Sequence, residues 1–166
     1  MLGYKERPSW SDMSRGLGFF VWNGPILTIV AGIGFLKWSK FAGGEDALGR
    51  KGADSVRISW SEIATWSPEL LIVSPCGFDT GKAIELTQQL LKQPGWNEIL
   101  AVRYDRVFAV DANAYFARPG PRVVDGVELL AHLLHPDLCP WHGPADAFSP
   151  VRIADFSFSE PLAKIS

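Results

Sequence analysis

A chain of 166 residues is one domain's worth of polypeptide, and 47% hydrophobic with 20% charged side chains is the balance of a folded protein, not a disordered one. The net charge of −2 supplies no positive field, and no window pairs clustered Lys/Arg with interleaved aromatics, so nucleic acid is set aside as a partner. Cys76 and Cys139 stand far apart and outside any CxxC pattern, which excludes a disulfide framework and a zinc knuckle.

Residues 1–15 are polar and turn-rich and read as a loose arm. Residues 16–36 (GLGFFVWNGPILTIVAGIGFL) carry no charge and are about long enough to span a bilayer. Asn23, Gly24 and Pro25 interrupt them with a turn, which predicts a short strand over 19–22 and a helix over 26–41. A membrane-anchored domain is the alternative this segment raises. A cleavable signal peptide fits worse, because the segment starts late, Asp12 lies in the leader and no small-x-small site follows. Gly43 and Gly44 supply the left-handed geometry that ends a helix.

Residues 56–58 form a short extended piece, and Ser59 with Glu62 makes a capping box for a helix running to about Trp66, stopped by Pro68. Residues 69–74 (ELLIVS) are a compact apolar run, the pattern of a strand buried on both faces. Thr80 is placed to cap the next helix, whose packing face is Ala83, Leu86, Leu90 and Leu91 and which Pro94 and Gly95 end. A helical turn over 96–100 and a strand over 103–110 follow. This alternation predicts an α/β fold with a mainly parallel sheet flanked by helices.

Residues 111–136 join a strand end, a loop stiffened by Pro119 and Pro121, and an amphipathic helix from Arg122 that Pro136 ends. Val123, Val127, Leu130 and Leu134 recur at helical spacing, with Asp125, Glu128, His132 and His135 on another face. The folded unit is placed at 16–136. The tail, 137–166, is rich in proline and is expected to wrap the surface or fray.

Ligands of open α/β sheets collect at strand carboxyl ends, and two such ends carry the runs 75–79 and 113–118. Phe78, Tyr115, Phe116 and Arg118 therefore stand as candidate ligand contacts: aromatic faces beside a fixed positive charge suit a large, flat or anionic ligand. The plainer account is that the aromatics cap the core and Arg118 is solvated. Cys76 lies between a strand and a helix amino terminus, where a nucleophile would be activated, so a small α/β enzyme is a rival reading. It lacks an evident base, since all three histidines lie on or beyond the last helix. The run 77–82 (GFDTGK) is not a phosphate loop, having one residue too few between its glycines and no Ser/Thr after Lys82. Asp125, Glu128, His132 and His135 could share a metal, but a solvated polar stripe explains the same spacing, and no metal is expected.

GlyGlyGluAsp (43–46), SerTrpSerGluIle (59–63), SerProGluLeuLeuIleValSerProCysGlyPhe (67–78), ProGlyTrp (94–96), ValPheAlaValAsp (107–111), TyrPheAlaArgProGlyProArg (115–122) and LeuLeuHisPro (133–136) occur in that order. The set resembles the C-terminal lobe of cobalamin-binding proteins within the cobalamin and iron-siderophore substrate-binding proteins of ABC importers, over roughly 19–136. The resemblance implies a non-enzymatic receptor in the periplasm or at the cell surface. It would hold a corrinoid between two α/β lobes and deliver it to an ABC-importer permease, with cobalamin as transported ligand and no cofactor of its own. A ferric siderophore is the alternative ligand. Phe78, Tyr115, Phe116 and Arg118 fall where that family lines its cleft. A glutamate on the helix after Ser59 is expected to dock on the permease; the matching position holds Ser61, and Glu62 is next to it. The N-terminal lobe has no counterpart in these residues, which leaves a separate N-terminal lobe as a further expected partner and binding by the single lobe impaired. In place of the family's GluTrp…AspPro and GlyHisTrp stand residues 21–25 and Gly32, Ile33 and Gly34.

Overall fold

The computed structural model of the chain describes residues 17–20, 29–31, 35–45, 56–116 and 122–152. Its strands are β1 (Leu17–Phe20), β2 (Ile29–Ala31), β3 (Val56–Ile58), β4 (Leu70–Val73), β5 (Val107–Val110) and β6 (Phe148–Pro150). Its helices are α1 (Phe35–Phe41), α2 (Trp60–Trp66), α3 (Thr80–Leu90), α4 (Leu100–Arg103), α5 (Ala112–Tyr115) and α6 (Val123–Leu134). The main sheet has the order β1-β4-β5-β6, and β2 and β3 form a separate antiparallel pair. β4 is central and pairs in parallel with β1 (Leu17 opposite Leu70) and with β5 (Leu71 opposite Val107), while β6 closes the far edge antiparallel to β5 (Ala109 opposite Ser149).

Strand alternation sorts the core into two layers. Leu71, Val73, Val107 and Ala109 face one side, where Ile63 of α2 and Ala83 and Leu90 of α3 cover them together with Trp96 and Ile99. Leu70, Ile72 and Val110 face the other, under Tyr115 of α5 and Leu129, Leu130, Leu133 and Leu134 of α6. All four β4 side chains are at most 1% exposed, as a continuous apolar strand between two helical layers requires.

The local signals act as their chemistry dictates at several points. Ser59 caps α2 by accepting from the Glu62 amide, and the Glu62 carboxylate accepts from the Ser59 amide at 2.7 Å, so both halves of the capping box form. Gly43, at φ 80°, ends α1 with two back-bonds, Gly44 N–H to Ser39 O at 2.7 Å and Gly43 N–H to Lys40 O at 3.1 Å.

Elsewhere the structure corrects the sequence reading. Among the described residues of the helix expected over 26–41, Phe35–Phe41 are helical as α1, but Ile29–Ala31 is a strand paired with β3. Its β-branched Ile29 and Val30 favour extended backbone, and an apolar run without polar alternation hides that difference. The first strand is set at Leu17–Phe20, while residues 21 and 22, expected in it, lie outside the described residues. Within 16–36 the described residues include both strands, and no helix among the described residues is long and apolar enough to cross a membrane.

The strand expected from Arg103 begins only at Val107, because α4 runs through Arg103 and Asp105 turns the chain at φ 55°. The cap of α3 is Asp79, whose carboxylate accepts from the Lys82 amide, and not Thr80. In α3, Thr87 takes a buried place by donating its hydroxyl to Ala83 O at 2.7 Å, while Leu86 and Leu91 are only half-buried. On α6 the buried face is Gly126, Leu129, Leu130, Leu133 and Leu134, leaving Val123 and Val127 half-exposed at its margin. Part of the tail does more than cover the surface, since Phe148–Pro150 completes the sheet.

Candidate ligand-binding rim

β1, β4 and β5 all point their carboxyl ends to one edge of the sheet, and antiparallel β6 begins there. Two loops meet at this edge. The first, after β4, turns through Cys76 and Gly77, whose φ of 86° and open surroundings suit glycine, and brings Phe78 back by a bond from its amide to Pro75 O. The second leaves β5 through Asp111, which caps α5 by accepting from the Ala114 amide at 3.0 Å. The Ala112 amide donates to Phe78 O at 3.2 Å, so the backbones of the two loops are joined at this edge.

The predicted contacts divide in their surroundings. Phe78 and Phe116 are half-buried, whereas Tyr115 is 8% exposed and belongs to the core. The Phe116 ring stacks on Trp38 of α1, centroids 6.1 Å apart and planes at 26°. The Tyr115 ring meets Trp141 edge to face at 5.9 Å and 70°. Burial first, then the carboxylates of Asp111, Asp125 and Asp146, raises the Tyr115 hydroxyl above its ordinary pKa against the pull of Arg122. Arg118, with residues 117–121, lies outside the described residues. The Ser74 hydroxyl at the end of β4 is 1% exposed and has no hydrogen-bond partner among the described residues.

A third segment, 140–147, reaches the same edge and was not legible as part of it. Trp141 donates its indole N–H to Pro144 O at 2.9 Å, and the Asp111 amide donates to Ala147 O at 3.1 Å. The Thr80 hydroxyl, at the start of α3, donates to Asp146 O at 2.8 Å. A proline-rich run reads as loop, and a tryptophan inside it is the one residue that signals attachment to a core.

The remaining candidates separate from the rim. Cys76 is exposed in the β4–α3 turn, and Cys139 is half-buried; both thiols are free. Among the described residues no group of three His, Cys, Asp or Glu could hold a metal, so the acidic and histidine stripe of α6 does not converge. His132 instead hydrogen-bonds Cys139 O through Nδ1 at 2.8 Å, and since a carbonyl only accepts, that nitrogen carries the proton. Glu62 is exposed on α2, far from the sheet edge in sequence, with Oε2 accepting from both the amide and the hydroxyl of Ser59 at 2.7 Å.

Residues 35–114 match the model of a family described as periplasmic binding protein. An uncharacterized ABC transporter substrate-binding lipoprotein, YvrC, of Bacillus subtilis (strain 168) is 48% identical over 46 residues, 28% of this chain and 14% of that protein. Among solved structures, an ABC transporter substrate-binding protein from Listeria monocytogenes EGD-e aligns with a TM-score of 0.63 at 13% identity, over 74% of this chain and 48% of its own. A periplasmic heme-binding protein from Pseudomonas aeruginosa aligns at 0.60 and 24% identity, over 76% and 45%. The periplasmic vitamin B12 binding protein BtuF of Vibrio cholerae aligns at 0.54 and 18% identity, over 75% and 45%. These likenesses establish the mixed α/β fold, and the chain spans about half the length of these solved structures.

Proposed function

We propose that the chain is one lobe of a substrate-binding protein of an ABC importer, and that its rim receives a large flat metal chelate, a corrinoid before a ferric siderophore. The observation that carries the reading is the Ala112–Phe78 bond, which puts Phe78 and Phe116 on neighbouring loops at the carboxyl edge of the sheet. The half-buried Phe78 ring offers apolar surface to a macrocycle, and the Phe116 ring is already ordered by its stack on Trp38. Arg118, five residues before the start of α6, supplies the charge that amide oxygens or a phosphate of such a ligand would take. Tyr115 serves this reading as a support and not as a contact, because its ring is covered by Trp141. The heme- and vitamin B12-binding proteins of similar fold favour a planar macrocycle as the class.

In this role the protein works outside the cytoplasmic membrane, in the periplasm or at the cell surface, and meets a permease. Glu62, exposed in the first turn of α2, is the docking residue. A second lobe would close the ligand's other face.

Calorimetric titration of the purified chain with cyanocobalamin, hemin and a ferric siderophore tests the proposal. Saturable but weak binding of cyanocobalamin is expected, since a single wall leaves half of the ring wet. Arg118→Ala is expected to weaken it severalfold. Failure to bind any of the three removes the rim as a ligand site, and submicromolar affinity of the monomer removes the single-wall account.

A further inference from the structure

Residues 140–147 contain no helix or strand, yet they are fastened at three places along the carboxyl edge of the sheet. The indole of Trp141 is folded back onto Pro144 O, and the Ala147 amide donates to the same oxygen at 3.3 Å. Gly143 is required by this fold, because a Cβ there would overlap the Trp141 ring. Ala147, 2% exposed, accepts from the Asp111 amide at the start of α5, and Asp146 accepts from Thr80 at the start of α3. At the other end of the segment the Trp141 ring covers Tyr115.

We infer that residues 140–147 are a strap that positions the rim, with Trp141 as its positioning residue: it acts on Phe78 and Phe116 through Tyr115 and the two loops, without touching ligand. The inference rests on the reading of this edge as a ligand rim, but the strap itself is a property of the chain. Its reach follows from the bonds. α5 is a single turn, too short to hold itself, and its amides at Ala112, Tyr115 and Phe116 are set by Phe78 O, Asp111 O and Ala112 O. Asp111 is in turn held by Ala147 O. Loosening the strap therefore frees the turn that carries Tyr115 and Phe116, and through Thr80 the start of α3 beside Phe78.

Amide hydrogen exchange in the full-length chain tests this. Trp141→Ala is expected to speed exchange at residues 112–116 about tenfold, the equivalent of one aromatic pair, and Trp141→Phe, which keeps a ring against Tyr115, to speed it less. Thr80→Val removes one hydroxyl that bonds residues 146 and 147 and nothing in 112–116, and it is expected to speed exchange at 112–116; it also serves if Trp141→Ala does not fold. Trp60→Ala, which breaks the Trp60–Trp96 stack in the opposite core layer, is expected to leave 112–116 unchanged. Wild-type exchange in Thr80→Val and Trp141→Phe, or equal acceleration by Trp60→Ala, overturns the strap. Titration of the same variants with cyanocobalamin, hemin and a ferric siderophore separates the two readings: a wild type that binds none of the three ends the ligand rim and leaves the strap to be judged on exchange alone.

Discussion

The Ala112 amide donates to the carbonyl oxygen of Phe78 across 3.2 Å, joining the first turn after β5 to the loop after β4. Each strand delivers its own loop to the sheet edge, but this bond sets their spacing, and the geometry around it leads to specific expectations.

α6 approaches α5 at Gly126, where a Cβ would lie 2.8 Å from Tyr115 O and 3.1 Å from the Phe116 ring. Gly126→Ala therefore forces the helix away from the turn beneath the rim. Urea denaturation is expected to show a loss of about 1–3 kcal/mol, the usual result of overpacking. Wild-type stability would mean that the two helices separate freely.

The capping box of α2 gives a graded pair of variants. Ser59→Ala removes the acceptor for the Glu62 amide and is expected to lose about 1 kcal/mol. Glu62→Gln keeps a neutral acceptor for the Ser59 amide and is expected to lose less. A larger loss from Glu62→Gln, measured by thermal unfolding, would assign Glu62 a role in the fold beyond its cap.

Alkaline pH acts on Tyr115. Its pKa is raised in the folded protein, so between the unfolded and folded values the folded state holds a proton that the unfolded state has released. Stability is then full below the unfolded value, about 10, and falls as pH rises through the folded one. Tyr115→Phe keeps the ring against Trp141 and is expected to flatten this part of the pH–stability curve. An unchanged slope would place the titration elsewhere.

The two thiols differ in access. Cys76 is exposed in its turn and Cys139 is half-buried behind α6, so a maleimide is expected to label Cys76 first in the native chain and both alike in urea. Peptide mapping of a time course checks the order, and faster labelling of Cys139 would contradict it.

Where one physical cause decided an element, the sequence displayed it. The capping box of Ser59 and Glu62, the glycine end of α1 and the two-faced burial of β4 each depend on neighbouring residues alone. Ile29–Ala31 was hidden because an apolar run serves a buried helix or strand equally, and pairing with Val56–Ile58 decides between them. That Phe78 and Phe116 follow strand ends was legible, whereas the burial of Tyr115 depends on Trp141, 26 positions later, inside a run whose prolines signal only loop. Neither β6 nor the bonds of Thr80 and Asp111 to residues 146 and 147 leave a local pattern, since their partners lie far away along the chain.

The antiparallel pairing of β6 also has a consequence for synthesis. Until the ribosome has released residue 150, β5 stands as an open margin whose amides and carbonyls can recruit a foreign strand. Nascent chains halted short of that point should clump, and adding residues 137–150 should keep them dispersed.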